Sequence, residues 1–134
     1  MAKDLISFLA SNPVTELVQE VSIPGRLGKY KFKIKPMTQK EYYKYQQICT
    51  TIVGKDKGVK FNSGRFSEMV IINHIIEPNF KSTEVLAKLG VQTPEEALEK
   101  FFLGGELLEL SGKISEVSGF STTEEELEEE AKNS

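Results

Sequence analysis

The chain has 134 residues, 39% of them hydrophobic and 28% charged, with 17 Lys and Arg against 20 Asp and Glu for a net charge of −3. That length suits one domain able to hide about two thirds of its unfolded surface, and the acidic balance disfavours a dedicated nucleic-acid binder, which would be basic. A single cysteine, Cys49, and a single histidine, His74, exclude a disulfide framework, multi-cysteine metal sites and HExxH chemistry.

No run of apolar residues is long enough to cross a membrane. The opening stretch from Met1 to Ala10 carries Asp4 beside Lys3 and is too interrupted for a signal peptide, so the expected compartment is the cytosol. Charge is unevenly spread. Residues 1–24 sum to −2, residues 25–60 to +8 (ten Lys and Arg against Glu41 and Asp56) and residues 61–134 to −9. A basic middle and an acidic end suggest internal attraction or head-to-tail self-association.

In chain order, residues 4–11 read as a short helix stopped at Asn12-Pro13. Residues 15–35 read as a β-hairpin. Leu17, Val21 and Ile23 share a face in its first arm, and Pro24-Gly25-Arg26-Leu27-Gly28 is the turn. The second arm alternates from Lys29 to Lys35, with Tyr30, Phe32 and Ile34 inward and four lysines outward. Thr38 and Glu41 form a capping box that opens a helix through Tyr42, Tyr45, Ile48, Cys49 and Ile52, with Gly54 as its C-cap. A second helix over residues 64–77 has so wide an apolar face, from Phe66 to Ile76, that it reads as the central core helix. A short helix over residues 83–89 ends at Gly90. Thr93-Pro94-Glu95-Glu96 supplies an N-cap, a proline at the first helical position and a glutamate at the third. That helix buries Ala97, Leu98, Phe101 and Phe102 and breaks at Gly104-Gly105; a last one carries Leu107, Leu110, Ile114 and Val117 and ends at Gly119. Residues 121–134, with six glutamates against one lysine, read as a frayed or mobile acidic tail beyond a compact domain of residues 1–120. The fold class is therefore α+β, mainly α: an N-terminal hairpin, a bundle of about five helices and the tail.

The chemistry-bearing residues read modestly. Cys49 lies on an apolar helix face with no third member to make a nucleophilic triad with His74, so Cys49 reads as a small buried hydrophobe and His74 as a satisfied or partly exposed histidine rather than a ligand. The lysines at 29, 31, 33 and 35 could follow a phosphate backbone; outward lysines also keep a sheet soluble and block edge pairing. A third reading is that they receive the acidic tail of the same or another copy. Gly54-Lys55-Asp56-Lys57-Gly58 lacks the order of a phosphate loop. The stripe Leu107/Leu110/Ile114/Val117 suits either core packing or a partner's helix.

The chain resembles the XkdN-like tail assembly chaperones of phages and phage-like elements of Gram-positive bacteria. The resemblance covers about residues 15–134 and rests on segments in a fixed order. They are the hairpin leading into Phe32-Lys33-Ile34-Lys35-Pro36-Met37-Thr38, the break Glu77-Pro78-Asn79-Phe80, and Leu89-Gly90-Val91-Gln92-Thr93-Pro94-Glu95-Glu96-Ala97-Leu98. They continue with Phe102-Leu103-Gly104-Gly105-Glu106, Ile114-Ser115-Glu116-Val117-Ser118-Gly119-Phe120, and an acidic end with Ala131-Lys132-Asn133. Gly104 departs from the pattern, which favours proline there.

The resemblance implies a role without catalysis or cofactor. Such a protein binds the tape measure protein in the host cytoplasm while the tail tube polymerises around it, with the tail tube protein as a further partner, and is absent from the finished virion. The candidate contact residues are Phe101, Phe102, Leu107, Leu110, Ile114 and Val117, together with Glu124, Glu125, Glu126, Glu128, Glu129 and Glu130. A longer product made by ribosomal frameshifting is also implied, and Ala131-Lys132-Asn133 can be encoded GCA AAA AAC, which contains the slippery heptamer A AAA AAC. The rival readings are a structural tail subunit and a small nucleic-acid-binding regulator.

Overall fold

The computed structural model describes residues 2–54 and 58–120. Helix α1 (Ala2–Ser11) leads through a 3-10 turn at Val14–Glu16 to strands β1 (Gln19–Val21) and β2 (Phe32–Ile34). Then come α2 (Gln39–Ile48), β3 (Thr50–Ile52), β4 (Val59–Phe61), α3 (Ser63–His74) and β5 (Ile75–Glu77). Helices α4 (Thr83–Leu89), α5 (Pro94–Phe101) and α6 (Gly104–Val117) complete the described fold. The class is α+β and mainly helical, with five helices after the first hairpin.

The local signals explain where several helices start and stop. Thr38 Oγ1 accepts from the Glu41 backbone N–H at 3.2 Å, and Glu41 Oε1 accepts from the Thr38 N–H at 3.0 Å. This reciprocal pair satisfies two N–H groups that the first turn of α2 would otherwise leave open. Thr93 caps α5, accepting from Glu96 N–H at 3.1 Å, while Glu96 Oε2 accepts from Gln92 N–H at 3.1 Å, with Pro94 at the first helical position. Gly90 closes α4 at φ +73°, a left-handed conformation that a side chain would strain.

Strands β1, β2 and β5 form one antiparallel sheet with β2 at its centre. The register pairs Gln19 with Ile34 and Val21 with Phe32 on one side, and Ile34 with Ile75 on the other. Phe32 and Ile34 are buried in the same core cluster as Val70, Ile71 and Ile75. α3 packs most extensively on α6 and is buried through Val70, Ile71, Ile72 and His74, as its wide apolar face requires. Aromatic contacts Phe32–Phe102 and Phe80–Phe102, with centroids 6.4 and 5.8 Å apart, tie the sheet to the α5–α6 corner.

The structure corrects four expectations. The alternation ends at β2: Tyr30 is exposed, in a turn where its N–H donates to the Leu27 carbonyl at 3.0 Å. Leu17 is also exposed rather than facing inward with Ile23. α2 does not run on to Gly54. It ends at Ile48 with Cys49 as its C-cap, and Thr50–Ile52 instead pairs with Val59–Phe61 as a second hairpin, with Gly54 in its turn at φ +61°. The central helix stops at His74, and Ile75–Glu77 turns into the third strand of the main sheet, where Lys35 N–H donates to the His74 carbonyl at 2.8 Å.

Candidate partner-binding surfaces

Of the predicted contact residues, Leu110 and Ile114 lie in the core at 0% exposure. Leu107, Val117 and Phe102 are partly buried against that core. Phe101, expected to be buried with Ala97 and Leu98, is instead on the surface at 38% exposure. The stripe on α6 therefore faces α3 and the core. What the α5–α6 corner presents outward is Phe101 together with Leu103 and Leu108, 62% and 68% exposed. The glutamates Glu124, Glu125, Glu126, Glu128, Glu129 and Glu130 lie outside the described residues.

The corner is held by an ion pair that sequence reading missed. Arg26 reaches from the first hairpin's loop to Glu106 Oε1 at 2.8 Å and donates to the Phe101 carbonyl at 2.7 Å. Glu106 Oε1 also accepts from Leu103 N–H at 2.7 Å, closing the start of α6 where no side-chain cap exists. That backbone N–H, then the Arg26 guanidinium, hold the Glu106 carboxyl below its ordinary value. The visible signal was Glu106 three residues after Leu103, the spacing of a helix-start glutamate. Its partner 80 residues away is not readable from local pattern.

Two further apolar surfaces emerge. α1 exposes Leu5, Ile6, Phe8 and Leu9, and contributes no member to the core cluster. On the second hairpin, Ile52 is 81% exposed, with Val59 and Phe61 also outside. Scattered surface leucines need no explanation, whereas apolar residues gathered on one helix or hairpin are candidates for contact.

His74 is fully buried, and its Nε2 meets Tyr45 Oη at 2.8 Å. Glu41 Oε2 lies 3.9 Å from the same nitrogen. Burial lowers the His74 pKa below 6.5, against the opposing pull of Glu41. Burial and the nearby Glu41 push the Tyr45 phenol up to about 12. Cys49 is buried with Sγ 3.6 Å from Met69 Sδ, and desolvation raises its pKa, the direction opposite to that of an activated thiol.

The lysine row is interrupted. Lys33 sits across from Glu20 on β1 and Glu77 on β5, and its Nζ is 3.6 Å from Glu77 Oε2. A phosphate track would need that position free. Among the described residues, no group of three or more His, Cys, Asp or Glu side chains is placed to hold a metal ion, and no helix is long and apolar enough to cross a membrane.

The described fold is thus small, α+β and mainly helical. Over residues 5–132 it matches the family model described as "Phage XkdN-like tail assembly chaperone protein, TAC", and the chain belongs to that family. It is similar to the phage-like element PBSX protein XkdN of Bacillus subtilis strain 168, with 30% identity over 106 residues, 76% of this chain and 72% of that one. The uncharacterized protein YqbN of the same strain is 28% identical over 106 residues, 76% and 71% of the two chains. The crystal structure of the protein YqbN shares the fold at a TM-score of 0.55 and 23% identity, covering 78% of this chain and 87% of that one. The family gives the chain a role in phage tail assembly.

Proposed function

We propose that the chain acts by binding the tape measure protein while the tail tube is assembled, without catalysis, in the cytoplasm of the bacterial host, and that it is not retained in the finished virion. The observation that carries this reading is the exposed apolar set Phe101, Leu103 and Leu108 on a corner fixed by Arg26 and Glu106. A rigid corner bearing outward apolar side chains can cover the apolar stripe of a long helical partner, which would otherwise aggregate. Phe102, Leu107 and Val117 are partly buried against the core, and Leu110 and Ile114 belong to it. The tail tube protein is the second proposed partner.

A minor product extended by frameshifting at Ala131-Lys132-Asn133 belongs to the same proposal. GCG or AAG at those codons removes this slippery site.

The test is co-expression with the product of the nearest long, coiled-coil-rich gene downstream. Tagging one chain should retrieve the other in soluble form. Failure to retrieve it, with this chain found instead in purified tail particles, would favour a structural subunit.

A further inference from the structure

The α5–α6 corner carries two cations beside its apolar side chains. Arg26 makes both of its bonds through Nη2, to Glu106 Oε1 at 2.8 Å and to the Phe101 carbonyl at 2.7 Å. A guanidinium presents its N–H donors as a planar fork. The edge formed by Nη1 and Nε therefore keeps its donors, with no hydrogen bond among the described residues. Glu106 does not occupy the fork. Its Oε2 has no partner among the described residues and its carboxylate is buried, whereas the Arg26 side chain is 53% exposed. The pair thus exposes its cation and covers its anion. A second cation stands beside it. Lys100 is exposed, its Nζ lies 5.7 Å from the centre of the Phe101 ring, and it has no carboxylate within 4.0 Å among the described residues. The neighbouring Glu99 lines a groove against α3 with Glu68 and Arg65. Glu109, exposed and next to Leu108 in sequence, is the opposing charge on this surface.

We propose that the segment docking on this corner is an amphipathic helix with carboxylates beside its apolar stripe, one received by the free edge of Arg26 and another by Lys100. This rests on the reading of the corner as the binding surface, and it names the chemistry of what that surface takes. Apolar contact with Phe101 and Leu103 supplies area but no direction. Charges beside it fix the register of a stripe that would otherwise slide by a turn. The two cations differ in kind. Arg26 is already held by Glu106 and the Phe101 carbonyl, so it loses little freedom in giving a carboxylate two parallel N–H bonds. Lys100 is a compact point charge on a flexible stem, resting near the Phe101 ring. The same arrangement disfavours a helix flanked by lysine, whose ammonium groups would meet both cations.

The test is fluorescence anisotropy of the full chain with two labelled synthetic helical peptides that share one leucine stripe, flanked by glutamate in one and by lysine in the other. An exposed charge pair is worth up to about five-fold in affinity, so two pairs set against Glu109 should favour the glutamate peptide by about ten-fold at about 0.1 M salt. The preference should shrink to near parity at about 1 M, where the Debye length is about 3 Å. Lys100→Gln, a change at an exposed residue, should reduce the preference several-fold. Arg26→Lys keeps the charge, loses the fork and should reduce it as well. Equal affinity for the two peptides, tighter binding of the lysine peptide, or a preference untouched by both variants would overturn the proposal. Binding of neither peptide would overturn it too, and retrieval of the co-expressed partner by Leu103→Glu/Leu108→Glu then decides separately whether the corner is the binding surface.

Discussion

Ile114→Ala separates a core residue from a contact residue. Ile114 is 0% exposed within the cluster that joins α6 to α3 and the sheet. The substitution removes three buried carbons, about 2.4 kcal/mol at roughly 0.8 kcal/mol each. The cavity left behind adds to this, within a range of about 2–5 kcal/mol for such truncations. A loss of about 3 kcal/mol is a large part of the roughly 5–15 kcal/mol that holds a domain together. Urea unfolding should report it as a midpoint lowered by about 1–2 M, given a slope of roughly 2 kcal/mol/M, with the slope unchanged. Leu108→Ala, at 68% exposure on the same helix, should stay within about 0.5 kcal/mol of the parent. A loss below about 1 kcal/mol for Ile114→Ala, or equal losses for both, would refute the packing of α6.

Three further outcomes follow from buried or charged groups. Tyr45→Phe removes the hydroxyl on His74 Nε2 and leaves a buried ring whose Nδ1 has no partner among the described residues; urea unfolding should show a loss of about 1–3 kcal/mol. Burial depresses the His74 pKa below 6.5, so the unfolded chain takes up this proton first. Stability from His74 is therefore full above pH 6.5 and falls below it until the folded-state value is reached. Glu41 adds a second loss at lower pH. Burial raises its pKa, but the Thr38 N–H, His74 and Lys35 outweigh that and hold it below 4.5, so its contribution is present above 4.5 and lost as pH falls through the folded value. His74→Gln, measured against pH by the same unfolding assay, should flatten the slope just below 6.5 and leave the lower one. Deleting residues 121–134 should leave the thermal midpoint within about 2 °C of the parent, since ΔΔG near zero moves Tm little, while reducing retrieval of the partner.

Legibility followed the range of the signal. The starts of α2 and α5 and the end of α4 are written in residues within one turn of the boundary, Thr38 with Glu41, Thr93 with Glu96, and Gly90. The first hairpin was legible because Phe32 and Ile34 alternate across a half-buried sheet. The second was not. All six residues of β3 and β4 are exposed, so no inward alternation marks them, and Ile52 happens to continue the helical spacing of Tyr45 and Cys49. β5 was hidden for a different reason. Ile75 and Ile76 prolong the apolar run of α3 without a breaker, and periodicity alone does not tell a buried strand from a buried helix turn. Its pairing with β2, more than 40 residues away, redirects the chain. The same long range concealed the Arg26–Glu106 clamp, and with it the outward set Phe101, Leu103 and Leu108 that replaces the inward stripe of α6 as the exposed surface.

The most direct test of the central claim uses that exposed surface. Leu103→Glu/Leu108→Glu changes two exposed side chains and should leave the unfolding midpoint of the chain nearly unchanged. In co-expression with the tape measure protein, the parent chain should raise the partner's soluble yield and be retrieved with it, and the double variant should do neither. Equal retrieval and equal solubility with the double variant would contradict the assignment of the α5–α6 corner as the binding surface, and no gain in solubility with the parent chain would contradict the chaperone reading itself.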